Sequence, residues 1–222
     1  MWWEADKSSA RREFPVKLGA MLVLASASPR RQELLRNAGI PFTVQSADID
    51  ETPRGGEPPR ECAERLAREK ALAVWRNRPR DLVLAADTIV VVDEIILGKP
   101  VNADDAARML RLLSGRMHRV TTGVCLVGAL ASKAARPSDE RPKAEKEELR
   151  TTSETTLVSM SELSDAEIRG YVANGEPMDK AGAYAIQGMA SRWIPRIEGD
   201  YSNVVGLPVA LVYRMLRERG EV

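Results

Sequence analysis

Leu82-Val83-Leu84-Ala85-Ala86-Asp87-Thr88-Ile89-Val90-Val91-Val92 is an apolar, β-branched run of strand length, interrupted once by a carboxylate. Its length and residue types predict a buried strand over 82–92, or a strand with its exit. An ionised group left unpaired in such a setting costs on the order of several kcal/mol or more. Asp87 is therefore expected to meet a cation, a metal or a hydrogen-bond cluster, or to stand where the strand opens into a cleft. Taken alone, the run fits a structural salt bridge equally well.

Strand and helix signals alternate on both sides of this run. Before it come strand 21–25, helix 29–37, strand 42–46 and helix 58–77. After it come helix 103–113, strand 118–127, strand 155–160, helix 165–173, a Gly-rich stretch over 175–206 and a final helix near 208–219. This alternation predicts an α/β domain over 21–222 with a largely covered sheet. Residues 1–20 are polar and irregular and read as an N-terminal extension. Residues 131–150, ASKAARPSDERPKAEKEELR, mix charges with two prolines and read as an exposed insertion between two strands. Helix boundaries carry their own chemistry. Asn102 is a candidate N-cap with Asp104 and Asp105 in the first turn and Gly115 as the stop, and Ser164-Asp165-Ala166-Glu167 fits a capping box closed by Gly175.

Composition excludes several classes of function. The 222 residues, 44% of them hydrophobic, suffice for one sizeable core. A formal net charge of +1 argues against a protein that grips a nucleic-acid polymer by bulk charge, so a bound anion is expected to be small. Two distant cysteines, Cys62 and Cys125, indicate neither a disulfide framework nor a zinc site. No stretch approaches the roughly 20 apolar residues that span a bilayer, and the N-terminus lacks the layout of a signal peptide. A cytoplasmic protein without membrane contact is the expectation. The single histidine, His118, removes multi-histidine metal centres, and its place at the head of a strand suits a structural role.

Other charges also fall where a bland fold would not put them. On the helix from Pro58, plotted at about 100° per residue, Cys62, Ala63, Leu66, Ala67, Ala71 and Val74 share one side. Glu64, Arg65, Arg68 and Glu69 take the other, and Lys70 lands amid the apolar side. Either it snorkels past the helix edge or it points into a cleft toward an anion. After the first strand, Ser26-Ala27-Ser28-Pro29-Arg30-Arg31 places Ser28 at the N-cap, Pro29 at the first helical position and two arginines in the opening turn. Cations are mildly unfavourable at a helix N-terminus unless an anion binds there. Serine hydroxyls, free N–H groups and guanidinium forks together suit a triphosphate, whereas a capped helix with solvated arginines is the plainer alternative. Gly98-Lys99-Pro100 sets another lysine in a turn, and Asp50-Glu51 closes the strand that starts near Phe42. With Asp87, these supply carboxylates for a divalent metal and for activating water, and cations for phosphate oxygens.

The strings LASASPRRQELL (24–35), LAREKA (66–71), AADTIVV (85–91), LGKP (97–100), HRVTTGV (118–124), EPMDKAGAYAIQG (176–188) and GDYSNVVGLPV (199–209) closely resemble the Maf family of nucleoside triphosphate pyrophosphatases. The match runs from Leu22 to about Leu216, leaving out the extension and the insertion. The resemblance implies an elongated mixed central sheet with flanking helices and two lobes around a cleft, as in inosine triphosphate pyrophosphatases. It implies a homodimeric, Mg²⁺-dependent enzyme, with Mn²⁺ as an alternative ion, that cleaves a nucleoside triphosphate to the monophosphate and pyrophosphate. Position by position, Asp87 matches the proton acceptor, and Glu51 with Asp87 matches the Mg²⁺ site. Ser26, Ser28, Arg30, Arg31, Lys70 and Lys99 match phosphate positions, and Arg30, Thr88 and Gln187 match positions of base specificity in members acting on dTTP and UTP. Members acting on 7-methyl-GTP resemble the chain less at Gln187, where they usually carry glutamate. An amide both donates and accepts, which suits thymine or uracil, whereas a carboxylate only accepts. Modified pyrimidine nucleotides fit the same expectation. The competing expectations are a 7-methyl-GTP or inosine triphosphate pyrophosphatase, and a nucleotide-binding regulator of cell division with little turnover.

Overall fold

The computed structural model describes residue 18, residues 21–129 and residues 147–222. The expected extension, apart from Leu18, and residues 131–146 of the expected insertion lie outside the described residues. In chain order the elements are β1 (Leu22–Leu24), α1 (Pro29–Asn37), β2 (Thr43–Val44), α2 (Pro59–Trp75), β3 (Leu82–Val92), β4 (Ile95–Leu97), α3 (Ala103–Leu113), β5 (Met117–Ala129), β6 (Glu147–Ser159), α4 (Asp165–Ala173), β7 (Arg196–Glu198), α5 (Tyr201–Val205) and α6 (Val209–Arg219). Short 3₁₀ turns fill Glu176–Asp179, Ala181–Ala183 and Met189–Trp193. The seven strands form one mixed sheet in the order β2-β1-β3-β5-β6-β7, with β4 also on β3. β2, β1 and β3 run parallel, and the remaining pairings are antiparallel.

The central strand organises everything else. β5 pairs with β3 without interruption from Val83 to Val91, so β1 and β4 share β3's other side. There β1 pairs only with Leu82–Leu84 and β4 only with Val90–Val92. Between them, among the described residues, the edge of β3 meets no strand, and Asp87 and Thr88 stand in that gap. Alternation along the strand then divides the core. On one face Leu82, Leu84 and Ala86 pack with Leu24, Leu35 and Met215, while Val90 and Val92 pack with Met109, Leu110, Tyr171 and Trp193. Thr88 lies on that face between the two clusters. On the opposite face Val83 and Ala85 pack with Ala67, Ala71 and Val74 of α2, and Ile89 and Val91 pack with Ala63. Asp87 falls between these, facing α2. The expected two lobes around a cleft are thus two cores strung along one strand.

α2 lies unusually close to the sheet because Gly123 of β5, the register partner of Asp87, has no side chain. A Cβ there would fall 2.2 Å from the Ala63 carbonyl oxygen and 2.7 Å from the Glu64 nitrogen. The N-terminal caps of α3 and α4 match their sequence signals: Asn102 Oδ1 accepts from the Asp105 N–H at 2.8 Å, and Ser164 and Glu167 form a complete capping box.

Two strand boundaries, a hairpin and one helix residue differ markedly from the sequence reading. The strand expected over 42–46 shrinks to Thr43–Val44, so Asp50 and Glu51 do not close a strand but ride on an extended loop. The strand expected at 155–160 begins at Glu147, so 147–150 of the expected insertion are strand instead. The first half of β6 carries no apolar alternation because little of it is buried, and its backbone ladder to β5 defines it. The β3–β4 hairpin turns on Asp93 and Glu94, both at positive φ (48° and 63°), where Asn-Gly would have announced it. Arg65, expected on the polar side of α2, is buried.

Replacing Gly123 by alanine is expected to push α2 off the sheet and cost about 1–3 kcal/mol. Urea denaturation of Gly123→Ala beside the parent measures this, and a loss below about 0.5 kcal/mol would contradict the close approach.

Candidate active site

Asp87 is paired by a buried lysine. Lys70 Nζ lies 2.6 Å from Asp87 Oδ1 and 2.9 Å from Glu51 Oε1. Lys70 does not snorkel past the helix edge: it lines the cleft, with its ammonium held between two carboxylates. Asp87 and Lys70 are both buried, whereas the Glu51 side chain is 47% exposed. Asp87 Oδ2 accepts no hydrogen bond among the described residues and is the oxygen left for a ligand. Burial opposes ionisation of Glu51, but the hydrogen bond and charge of Lys70, aided by Lys99 and Arg31, hold its carboxyl below the ordinary value.

The loop bearing Glu51 is fixed from beneath by Arg65. This guanidinium donates to both carboxylate oxygens of Glu57 at 2.6 and 2.7 Å, to Glu69 at 3.2 Å and to the Thr52 carbonyl at 3.3 Å. The hydrogen bonds from Arg65 lower the Glu57 carboxyl to about 2. A planar fork satisfied on this many sides holds a chain segment that has no secondary structure of its own.

The turn from β1 into α1 presents the second half of the site. Ser28 holds the N-cap position, but its side chain caps nothing, and its N–H donates to Ser26 Oγ at 3.2 Å. With no acidic residue in the first turn, the α1 N-terminus keeps its open N–H groups and partial positive charge. Arg31 is less free than the sequence suggested. It donates to the Gly206 carbonyl at 2.7 Å, to Thr88 Oγ1 at 3.0 Å and to Ser26 Oγ at 3.2 Å. Thr88 Oγ1 also bonds Thr122 Oγ1 at 2.9 Å, so its hydroxyl is engaged with protein. Arg30 pairs with Asp179 at 3.1 Å. Lys99 and Gln187 are exposed, and among the described residues neither side chain has a hydrogen-bond or ion-pair partner.

Ser26, Ser28, Arg30, Arg31, Glu51, Lys70, Asp87, Thr88, Lys99 and Gln187 all line a single cleft of about 560 Å³. That volume suits a small organic ligand. The same cleft is lined by Asp179, Lys180 and Gly206, which sequence reasoning did not single out. Only the string 176–188 hinted at them, since Asp179 and Lys180 look like ordinary loop charges. Cys62 also reaches the cleft, but burial pushes its thiol up to about 11, so it offers no thiolate nucleophile. Among the described residues, no three His, Cys, Asp or Glu side chains are grouped to hold a metal. A buried carboxylate beside a row of cations, in a cleft with an open helix N-terminus, is equipped for hydrolysis of a phosphate anhydride.

The family profile described as Maf-like protein matches residues 21–219. The chain belongs to the Maf family. Among curated Maf relatives, a protein of Koribacter versatilis named dTTP/UTP pyrophosphatase is 55% identical over 203 residues, 91% of this chain and 96% of that one. Proteins of the same name from Syntrophomonas wolfei and Anaeromyxobacter dehalogenans are 51% and 50% identical, over 89% and 90% of this chain and 96% and 94% of theirs. A solved structure of a nucleoside-triphosphatase/dITP/XTP pyrophosphatase from Mycobacterium abscessus covers 64% of this Maf chain and 75% of its own at 15% identity. Its TM-score is 0.36.

His118 stands outside the cleft lining, as its structural reading requires. It is buried on β5 with Nε2 2.8 Å from the Tyr184 hydroxyl and the two rings edge to face. Burial lowers it to about 4, against a smaller opposing effect of the Arg116 backbone. The folded protein keeps this ring neutral while the unfolded chain protonates below about pH 6.5. Stability from this group is therefore intact above pH 6.5 and lost as pH falls toward 4, by about 3 kcal/mol in all. Urea denaturation of His118→Gln and the parent at pH 7 and pH 4.5 should show the gap between them narrowing at the lower pH. A gap independent of pH would contradict the buried neutral ring.

Proposed function

We propose that this protein hydrolyses dTTP and UTP to the monophosphate and pyrophosphate, with Asp87 as the base that activates water. The observation that carries this reading is the Lys70 bridge between Asp87 and Glu51, in one cleft with Lys99, Arg30 and the uncapped start of α1. The shared name of relatives around half identical in sequence supports the choice of substrate.

In this mechanism the triphosphate lies against the α1 N-terminus, where Ser26, Ser28 and open N–H groups meet phosphate oxygens. Arg30 and Lys99 meet the remaining charge, and Arg31 stiffens the turn through Gly206 and Thr88 while turning its unused N–H groups to the ligand. Asp87 Oδ2 takes a proton from water as the water oxygen bonds to the α-phosphorus. The bond from that phosphorus to the bridging oxygen breaks, and pyrophosphate leaves with the electron pair. Lys70 holds Asp87 Oδ1, which fixes the direction in which the base presents Oδ2. Gln187 faces the pyrimidine edge with one donor and one acceptor.

Two carboxylates that reach one lysine nitrogen form a hard-oxygen donor pair of the kind Mg²⁺ uses with phosphates and water. Glu51 and Asp87 are the residues that would hold Mg²⁺, or Mn²⁺ in its place. Such an ion supplies neutralisation of charge on the phosphate oxygens when bound. The mixed charge of the pair and Lys70 leaves one net negative charge for it to meet. We assign the protein to the cytoplasm, a setting in keeping with the buried thiols of Cys62 and Cys125.

Asp87→Asn keeps the shape of the side chain and removes its basicity. Pyrophosphate release from dTTP and UTP is expected to fall about 10²- to 10⁴-fold while nucleotide binding persists. A panel of dTTP, UTP, CTP, GTP, 7-methyl-GTP and ITP tests substrate choice in the same assay. Purine preference would move the assignment to another branch of the family, and undiminished turnover in Asp87→Asn would remove Asp87 as the base.

A further inference from the structure

Gln187 sits at the centre of a turn whose backbone is pinned on both sides of it. Two residues earlier, the Ala185 N–H donates to the Tyr171 hydroxyl at 3.2 Å. Two residues later, the Met189 N–H donates to Glu176 Oε2 at 3.1 Å. The two acceptors are themselves joined, since Tyr171 Oη donates to Glu176 Oε1 at 2.7 Å. The turn closes so tightly over this carboxylate that a Cβ at Gly188 would lie 2.1 Å from Glu176 Oε1. Below it, Lys180 Nζ donates to the Glu176 carbonyl at 2.7 Å.

One member of the anchor is locked in the core. Tyr171, on α4, is fully buried, with its ring edge-on to Trp193 at 5.3 Å between centroids. The Gln187 amide, by contrast, has no protein partner among the described residues and is free to meet a ligand in the cleft. A glutamine side chain has three rotatable bonds, so its aim depends on how well its backbone is fixed. Here the fixing comes from hydrogen bonds two residues to either side, both ending on the joined pair of Tyr171 and Glu176.

We infer that Tyr171 and Glu176 are the positioning residues for base selection, holding the turn that aims Gln187 at the pyrimidine edge. The inference rests on the proposed reading of Gln187 as a base-contacting residue. Neither Tyr171 nor Glu176 is among the residues that line the cleft, and both act through the backbone of residues 185–189. A loosened turn would cost most for a base that needs both the donor and the acceptor of the amide in register. UTP offers a carbonyl and an N–H on that edge, whereas CTP presents an amino group and a bare nitrogen.

The test is steady-state kinetics with UTP and CTP for the parent, Tyr171→Phe, Glu176→Gln, Gln187→Ala and the double variant Tyr171→Phe/Gln187→Ala. Tyr171→Phe keeps the buried ring and Glu176→Gln keeps the side-chain shape, so two independent near-isosteric changes probe the pair. Each is expected to lower the UTP-to-CTP ratio of kcat/KM about ten-fold, mainly by raising KM for UTP. In the Gln187→Ala background the Tyr171→Phe effect on that ratio should vanish. Equal losses for UTP and CTP, or an undiminished effect in the double variant, would overturn the inference and leave the pair as plain scaffold. A Gln187→Ala protein with the parent's ratio would instead sink the base-contact reading, and the inference with it.

Discussion

A carboxylate in the middle of a buried strand has to be paired, and the Lys70 ammonium 2.6 Å from Asp87 is the pairing on which this fold is built. Removing one partner of a buried pair typically costs about 3–5 kcal/mol, because the other is left charged and dry. The geometry that satisfies Asp87 constrains its neighbours in turn. α2 must present a lysine from its apolar side, and it must lie close to the sheet. Gly123 permits that approach by offering no Cβ directly opposite Asp87. Lys70 then has reach to spare for Glu51, and Arg65, one turn and a half earlier on the same helix, secures the loop that carries Glu51. One helix thus pairs the buried acid and recruits a second.

The strand uses its two faces for different tasks. Asp87 looks toward α2, and Thr88 looks the other way, into the network of Arg31, Gly206 and Thr122. Both stand where the edge of β3 has lost β1 and not yet gained β4. Interrupted pairing at that point opens the sheet to a ligand without exposing either hydrophobic core. The α1 N-terminus faces the same opening because β1 ends at Leu24 and the chain must turn there. Position in the sheet therefore decides which residues can act on a bound nucleotide. The cations in the cleft then divide by what already holds them. Lys70 is committed to carboxylates, Arg31 to scaffold oxygens and Arg30 to Asp179, which leaves Lys99 unpartnered among the described residues.

Much of this is legible in the residues. Asp87 announced itself as a charge in an apolar run, Lys70 as a charge on an apolar helix side, and Ser26 to Arg31 as a cationic helix start without an acid. Repeating strand and helix signals give the α/β class. What the sequence does not show is partnership. Whether Lys70 also meets Glu51 depends on where the loop 45–58 lies, and that loop has no periodicity to read. Arg65 sits at the margin of the apolar side, and only the placement of Glu57 and Thr52 buries it. β6 begins well before its apolar residues because a backbone ladder, not burial, defines its first half. Asp93 and Glu94 turn a hairpin in conformations their residue types seldom announce. The Tyr171–Glu176 pair is likewise silent, since a tyrosine on a helix and a glutamate in a turn are ordinary until the fold joins them.

The central claim is that water held by Asp87 attacks the α-phosphorus. Hydrolysis of UTP by the wild-type protein in ¹⁸O-labelled water, followed by mass analysis of the products, tests it most directly. The account predicts one labelled oxygen in UMP and unlabelled pyrophosphate. Label in pyrophosphate, or release of orthophosphate with UDP, would show attack at another phosphorus and contradict the placement of Asp87 as the base for this reaction.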